Sequence, residues 1–207
     1  EKETEKFFDA IGVRQGTAYV NYSNGTLLTD ALLGIKNTFI ETTDATYNER
    51  WERKDLEDFS TIANFDEGHI VTNPNALSIA YPMKSILKSM KVPTNHPITM
   101  QNKLANALSG TTSPKNIFTR VSYETTFENI SGSPVVYQRV QLEDNTQVGT
   151  ITLTFTPETN DPIYLEMAGT MGEEDMEMML NGEPYAFYPV QSKPVLLSVA
   201  KNQKGQP

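Results

Sequence analysis

Two hydrophobic periods divide this chain. Up to about residue 110 the apolar positions recur with helical spacing, and beyond residue 116 they alternate. In the first region Phe7, Phe8 and Ile11 fall on one side of a short segment ended by Gly12 and Gly16. Asp44 is placed to cap a helix running to about Ala63, with Tyr47, Trp51, Leu56, Phe59 and Ile62 among its charges. Pro82 suits a first helical turn, and Met83, Ile86, Leu87 and Met90 follow as an amphipathic stripe ended by Pro93. Pro97 opens another helix with Met100, Leu104 and Leu108 inward and Gly110 as its stop. Thr17–Tyr22 reads as a strand before an Asn24-Gly25 turn. Residues 26–40 fit strand and helix equally, with Gly34 interrupting them.

From Ile117 to Glu128 the odd positions are Ile117, Thr119, Val121, Tyr123, Thr125 and Phe127, against a mostly polar even set. Val136, Val140 and Leu142 share a face of the next segment. Ile151, Leu153 and Phe155 then alternate with Thr150, Thr152, Thr154 and Thr156. Ile163, Leu165 and Met167 repeat the pattern. Tyr185–Val190 and Val195–Ala200, flanked by prolines, read as edge strands. The short connections favour antiparallel neighbours.

The expected fold is therefore α+β. A helix-rich N-terminal half (7–110) packs on an antiparallel meander sheet formed mainly by residues 117–200 (sheet-rich region 116–200). Residues 1–6 form a flexible lead-in, 7–200 one domain, and 201–207 a polar tail.

Charge sharpens this division. Gly68–Tyr123 holds Lys84, Lys88, Lys91, Lys103, Lys115 and Arg120 with no Asp or Glu, whereas Val140–Ser192 holds ten carboxylates and no Lys or Arg. The pattern implies a basic helical layer against an acidic sheet layer, or complementary contacts between copies of the chain. The net charge of −9 argues against general nucleic-acid binding. No cysteine is present, which excludes disulfides, thiolate metal sites and cysteine nucleophiles, and fits an extracytoplasmic setting. No apolar run reaches the roughly 18–20 residues of a membrane span.

Candidate chemistry is sparse. Ser85 and Lys88, and again Ser198 and Lys201, have the Ser-x-x-Lys spacing in which an amine activates a hydroxyl. No Lys-Thr-Gly partner follows them, and chance supplies such matches in a chain of this length. His69 and His96 lack the spacing of a zinc pair. Asn21, Asn24 and Asn129 head Asn-x-Ser/Thr triplets. The candidate partner surface is Met171, Glu173, Glu174, Asp175, Met176, Met178 and Met179, where adaptable thioethers adjoin dense carboxylates. No cofactor or metal is expected.

These features point to a non-enzymatic extracytoplasmic or cell-surface binding protein with a protein or small-ligand partner, such as the soluble part of a bacterial lipoprotein anchored through a removed N-terminal segment. The alternative is a self-associating structural subunit of a virion, tail or filament. A Ser/Lys hydrolase is the third reading.

Overall fold

The computed structural model describes residues 2–12, 25–41, 53–78, 80, 90–91, 96–131, 141–167, 177–187 and 195–206. They form two compact units. The first comprises Glu1–Phe118 with Pro162–Lys201, and the second Thr119–Asp161 with Asn202–Pro207.

In the first unit, α1 (Lys2–Ile11) presents Ala10 and Ile11 to a core shared with Met100 and Leu104 of α3 (Pro97–Ser109). Pro97 occupies the first turn of α3, and Gly110 closes it in the left-handed region at φ 60°. Between them in sequence lies α2 (Leu27–Leu32), held by a reciprocal cap. The Thr26 hydroxyl accepts from the Thr29 N–H, and the Thr29 hydroxyl accepts from the Thr26 N–H. Thr26 Oγ1 also donates to Gln101 Oε1 at 2.7 Å, and Gln101 Nε2 donates to the Ile11 carbonyl at 2.8 Å. One buried polar chain thus joins all three helices, and its members are satisfied by one another.

The ambiguous 26–40 segment resolves into both alternatives. α2 ends, Gly34 turns the chain at φ 68°, and β1 (Asn37–Glu41) follows. β1 pairs antiparallel with β3 (Gly68–Thr72), which also pairs with β2 (Ser60–Phe65), giving the order β1-β3-β2. Farther along, β8 (Ile163–Met167) pairs with β11 (Val195–Ala200), and β9 (Glu177–Leu180) with β10 (Glu183–Phe187). The buried Leu196, Leu197 and Val199 make β11 the most enclosed strand of this unit.

The second unit is a long ribbon. β4 (Glu124–Glu128) pairs with β7 (Thr150–Thr154), and β5 (Ile130–Ser131) with β6 (Gln141–Leu142). Opposite the single residue Asn129, the other strand inserts the loop 143–149. Asn129 holds that loop: its Nδ2 donates to the carbonyls of Asp144 and Gln147, and its Oδ1 accepts from the Asp144 N–H at 2.7 Å. The amide of this Asn-x-Ser triplet is therefore spent on the fold. Residues 202–205 bond back to Pro157 and Asn160.

The helix-rich N-terminal half is not seen. The described residues are sheet-rich, with three short helices and one 3-10 turn (Lys54–Leu56). Of the helix expected from Asp44 to Ala63, residues 44–52 lie outside the described set. The remainder is the 3-10 turn and most of β2. Two physical causes outweigh the helical period. Arg53 and Asp55 are drawn into a buried cluster instead of lining a wet face. Ser60, Thr61 and Ala63 pair across a two-residue turn with the β-branched Thr72, Val71 and Ile70. The expected Thr17–Tyr22 strand and Met83–Met90 stripe also lie outside the described residues, apart from Met90, which packs against the α1–α3 core.

Every strand pair among the described residues is antiparallel, but the expected single meander is replaced by one three-stranded sheet and four two-stranded ones. β4 skips to β7 and β8 skips to β11. The expected strand at 117–128 shortens to β4, and Ile117 and Tyr123 are exposed.

Candidate functional site

The densest convergence of polar side chains lies in the first unit, around Arg53. Its guanidinium spans two carboxylates. Nε and Nη2 donate to Asp55 at 2.9 and 2.6 Å, and Nη1 and Nη2 reach Asp30 at 3.0 and 2.8 Å. The Asp55 and Asp30 side chains are 0% and 1% exposed, so neither charge is supported by water. Tyr164 of β8 donates its hydroxyl to Asp55 Oδ2 at 2.7 Å and accepts from the Leu27 N–H at the start of α2.

A second set of bonds fastens the same turn to β11. Ser198 Oγ accepts from the Asp55 N–H at 2.9 Å. Lys201 Nζ donates to the Asp55 carbonyl at 3.0 Å and pairs with Asp58 at 3.1 Å. It also lies 5.8 Å from the centre of the Phe59 ring. Tyr185 donates to the Ser198 carbonyl. Ser198 and Lys201 are one of the two Ser-x-x-Lys matches. They sit on and just beyond a strand, and both are committed to the backbone of Asp55. Ser85 and Lys88 lie outside the described residues.

The electrostatics follow from burial. Desolvation alone would lower the Arg53 pKa, but the hydrogen bonds and charge of Asp55, then the charge of Asp30, outweigh it and hold the guanidinium above its ordinary range. Burial pushes the Tyr164 phenol up, and the Asp55 charge adds to the effect. Its folded pKa thus exceeds the ordinary value of 10.0. The fold favours the protonated phenol, so the associated stability is complete below pH 10 and is lost as the pH rises above it. Urea unfolding followed between neutral pH and pH 11 is expected to show an alkaline loss that Tyr164→Phe reduces. At neutral pH the same variant is expected to cost about 1–2 kcal/mol, because Asp55 loses a donor. An alkaline limb identical in both proteins would remove Tyr164 as its source.

Glu166, two residues along β8, serves a different end. Its Oε2 accepts from the Ile98 N–H at 2.9 Å, which places a carboxylate at the N-terminus of α3, and Oε1 lies 3.4 Å from His96 Nδ1. His69 lies on β3 between Ile40 and Asn64. Among the described residues no group of three or more His, Asp or Glu side chains converges to hold a metal ion.

Of the sequence-derived partner surface, Met171, Glu173, Glu174, Asp175 and Met176 lie outside the described residues. Met178 and Met179 stand on β9, with Met178 half-buried and Met179 53% exposed. The Arg53 cluster was absent from the sequence reading. Its charges fall in a run that resembles a solvated helix face, and Asp30 is 23 residues away.

A family model described as "Bacterial membrane protein YfhO" matches residues 1–207. The chain belongs to the YfhO family. No curated protein and no solved structure matches it. YfhO membership makes this a membrane-associated chain instead of a freely soluble binder. Among the described residues no helix is long and apolar enough to cross a membrane, and α3, the longest, has 13 residues.

Proposed function

We propose that this chain is a water-facing, non-enzymatic binding module of a bacterial membrane protein, held on the extracytoplasmic side. The observation that carries the reading is the β4–β7 ribbon. All five β7 residues are exposed, and Glu124 and Glu128 stand on β4 opposite Thr154 and Thr150. Such a ribbon suits water, because open sheet edges and carboxylates are costly in hydrocarbon. Family membership supplies the membrane association. The cysteine-free composition supports the extracytoplasmic side. Commitment of Ser198 and Lys201 to the Asp55 backbone favours binding over hydrolysis at that pair.

The same composition provides the test, since an introduced cysteine is the only thiol of this chain. Val148, 85% exposed, is the place for it. In whole cells producing the full membrane protein, Val148→Cys is expected to react with a membrane-impermeant maleimide as fully as after lysis. Labelling that requires lysis would put the module in the cytoplasm and overturn the assignment.

A further inference from the structure

The β1–β3–β2 sheet carries an aromatic and acidic face. The segments 37–41 and 57–72 contain Glu41, Glu57, Asp58, Asp66 and Glu67 and no Lys or Arg. Phe39 and Phe65 stand on one face, 50% and 53% exposed, with their ring centres 6.2 Å apart in an edge-to-face pair. Phe65, Gly68 and Glu41 are in register across the three strands, so Glu41 shares the face with Phe65. Gly68 leaves room in that row, and the Phe39 ring leans into it. The exposed Asp66 and Glu67 form the adjoining turn.

Eight residues earlier the chain shows what such a pairing holds. There Asp58 and Phe59 receive Lys201: the ammonium is 3.1 Å from the carboxylate and 5.8 Å from the ring centre. Phe65 and Asp66 repeat this adjacency of ring and carboxylate at an exposed turn. A ring face and a carboxylate together favour an ammonium, the ring through its quadrupole and the carboxylate through its charge.

We propose that this face docks an extended, lysine-bearing segment of a partner polypeptide. An ammonium rests on the Phe39–Phe65 pair and is neutralised by Glu41, Asp66 and Glu67. The inference rests on the reading of the chain as a binding module and names the class of its partner. Charge complementarity selects the occupant: the face is acidic, so an anionic membrane surface is repelled from it.

The test is titration calorimetry of the 207-residue chain with a (Lys-Thr)5 peptide at about 0.15 M salt, where distant charges are largely screened. Neutralising the face with Glu41→Gln, Asp66→Asn and Glu67→Gln is expected to weaken binding about tenfold or more. Glu124→Gln with Glu128→Gln, in the other unit, is expected to change it less than about twofold. Phe65→Ser leaves the net charge intact and is expected to weaken binding about fivefold, whereas Phe65→Tyr retains it. Amide exchange along β2 and β3 reports whether each variant keeps the hairpin. Equal losses from both carboxylate sets, no loss in Phe65→Ser with the hairpin intact, or no binding by the unmodified chain would each overturn the proposal. These outcomes leave the maleimide result untouched, so the two readings fail separately.

Discussion

Replacing Arg53 with methionine is expected to destabilise the first unit by about 3–5 kcal/mol, because it leaves two buried carboxylates without their shared cation. The expectation follows from the geometry. Arg53 is the contact common to Asp30 and Asp55, reaching each through two short bonds. Both carboxylates are excluded from solvent, so water cannot replace the guanidinium. Methionine preserves much of the stem's packing, and what it removes is the charge and the donors. Urea unfolding at neutral pH gives the magnitude. Amide exchange in α2 and β11 locates it, since the cluster joins those elements. The decisive comparison adds Asp30→Asn and Asp55→Asn to the Met variant. If the loss comes from uncompensated charge, the triple variant recovers much of it, as buried ionic groups exchanged together often cost little. If the triple variant is as unstable as the single one, lost packing is responsible. Lys201 and Asp58 give the contrast. Asp58 is 58% exposed, so Asp58→Asn is expected to cost under about 1 kcal/mol.

The sequence pattern located elements whose signals were local. Pro97, the Met100–Leu104–Leu108 spacing and Gly110 delimit α3, and Val195–Ala200 is β11 with the same limits. It failed where a residue's phase and its use disagree. On β8 the alternation assigns Ile163, Leu165 and Met167 to the interior and leaves Tyr164 and Glu166 for water. Yet Tyr164 enters the Arg53 cluster and Glu166 reaches the N-terminus of α3. On β7 the opposite occurs: Ile151 and Leu153 alternate as buried residues should, and both are about 40% exposed. Among the described residues, the buried ion pairs of Arg53 and the half-exposed pair of Lys201 with Asp58 use cations that belong to neither charge block. The Thr26–Thr29 cap was the one local sign that the ambiguous 26–40 segment begins with a helix.

The same limitation hid the hairpin of β2 and β3, and Gly68 is where its reality is most sharply tested. Leu56, Phe59 and Ile62 recur every three residues, which suits a helix and not the alternation of a strand, so the period points away from β2. The Asp66-Glu67 turn, with β-branched residues on both sides, favours the hairpin. Gly68 follows that turn and faces Glu41 on β1. A Cβ at this position would overlap the Ile40 carbonyl oxygen and lie 2.9 Å from the Phe39 ring. The first obstacle is backbone, so a rotamer change cannot relieve it, and β1 must move away. Gly68→Ala is therefore expected to cost about 3 kcal/mol, at the upper end for overpacking by one methyl group. Amide exchange should quicken at residues 39–41 more than in α3, because the damage begins at one end of the β1–β3 pair. Gly182→Ala is the control. Gly182 has φ 86° and open space around its Cβ direction, so alanine there meets backbone strain alone, about 1–2 kcal/mol. If Gly68→Ala costs no more than Gly182→Ala, the Ile40 carbonyl does not lie over Gly68, and the β1–β3 register is wrong. If it costs more and frees β1, the Phe39–Phe65 pair is displaced with it, and the lysine-bearing peptide should bind Gly68→Ala as poorly as it binds Phe65→Ser.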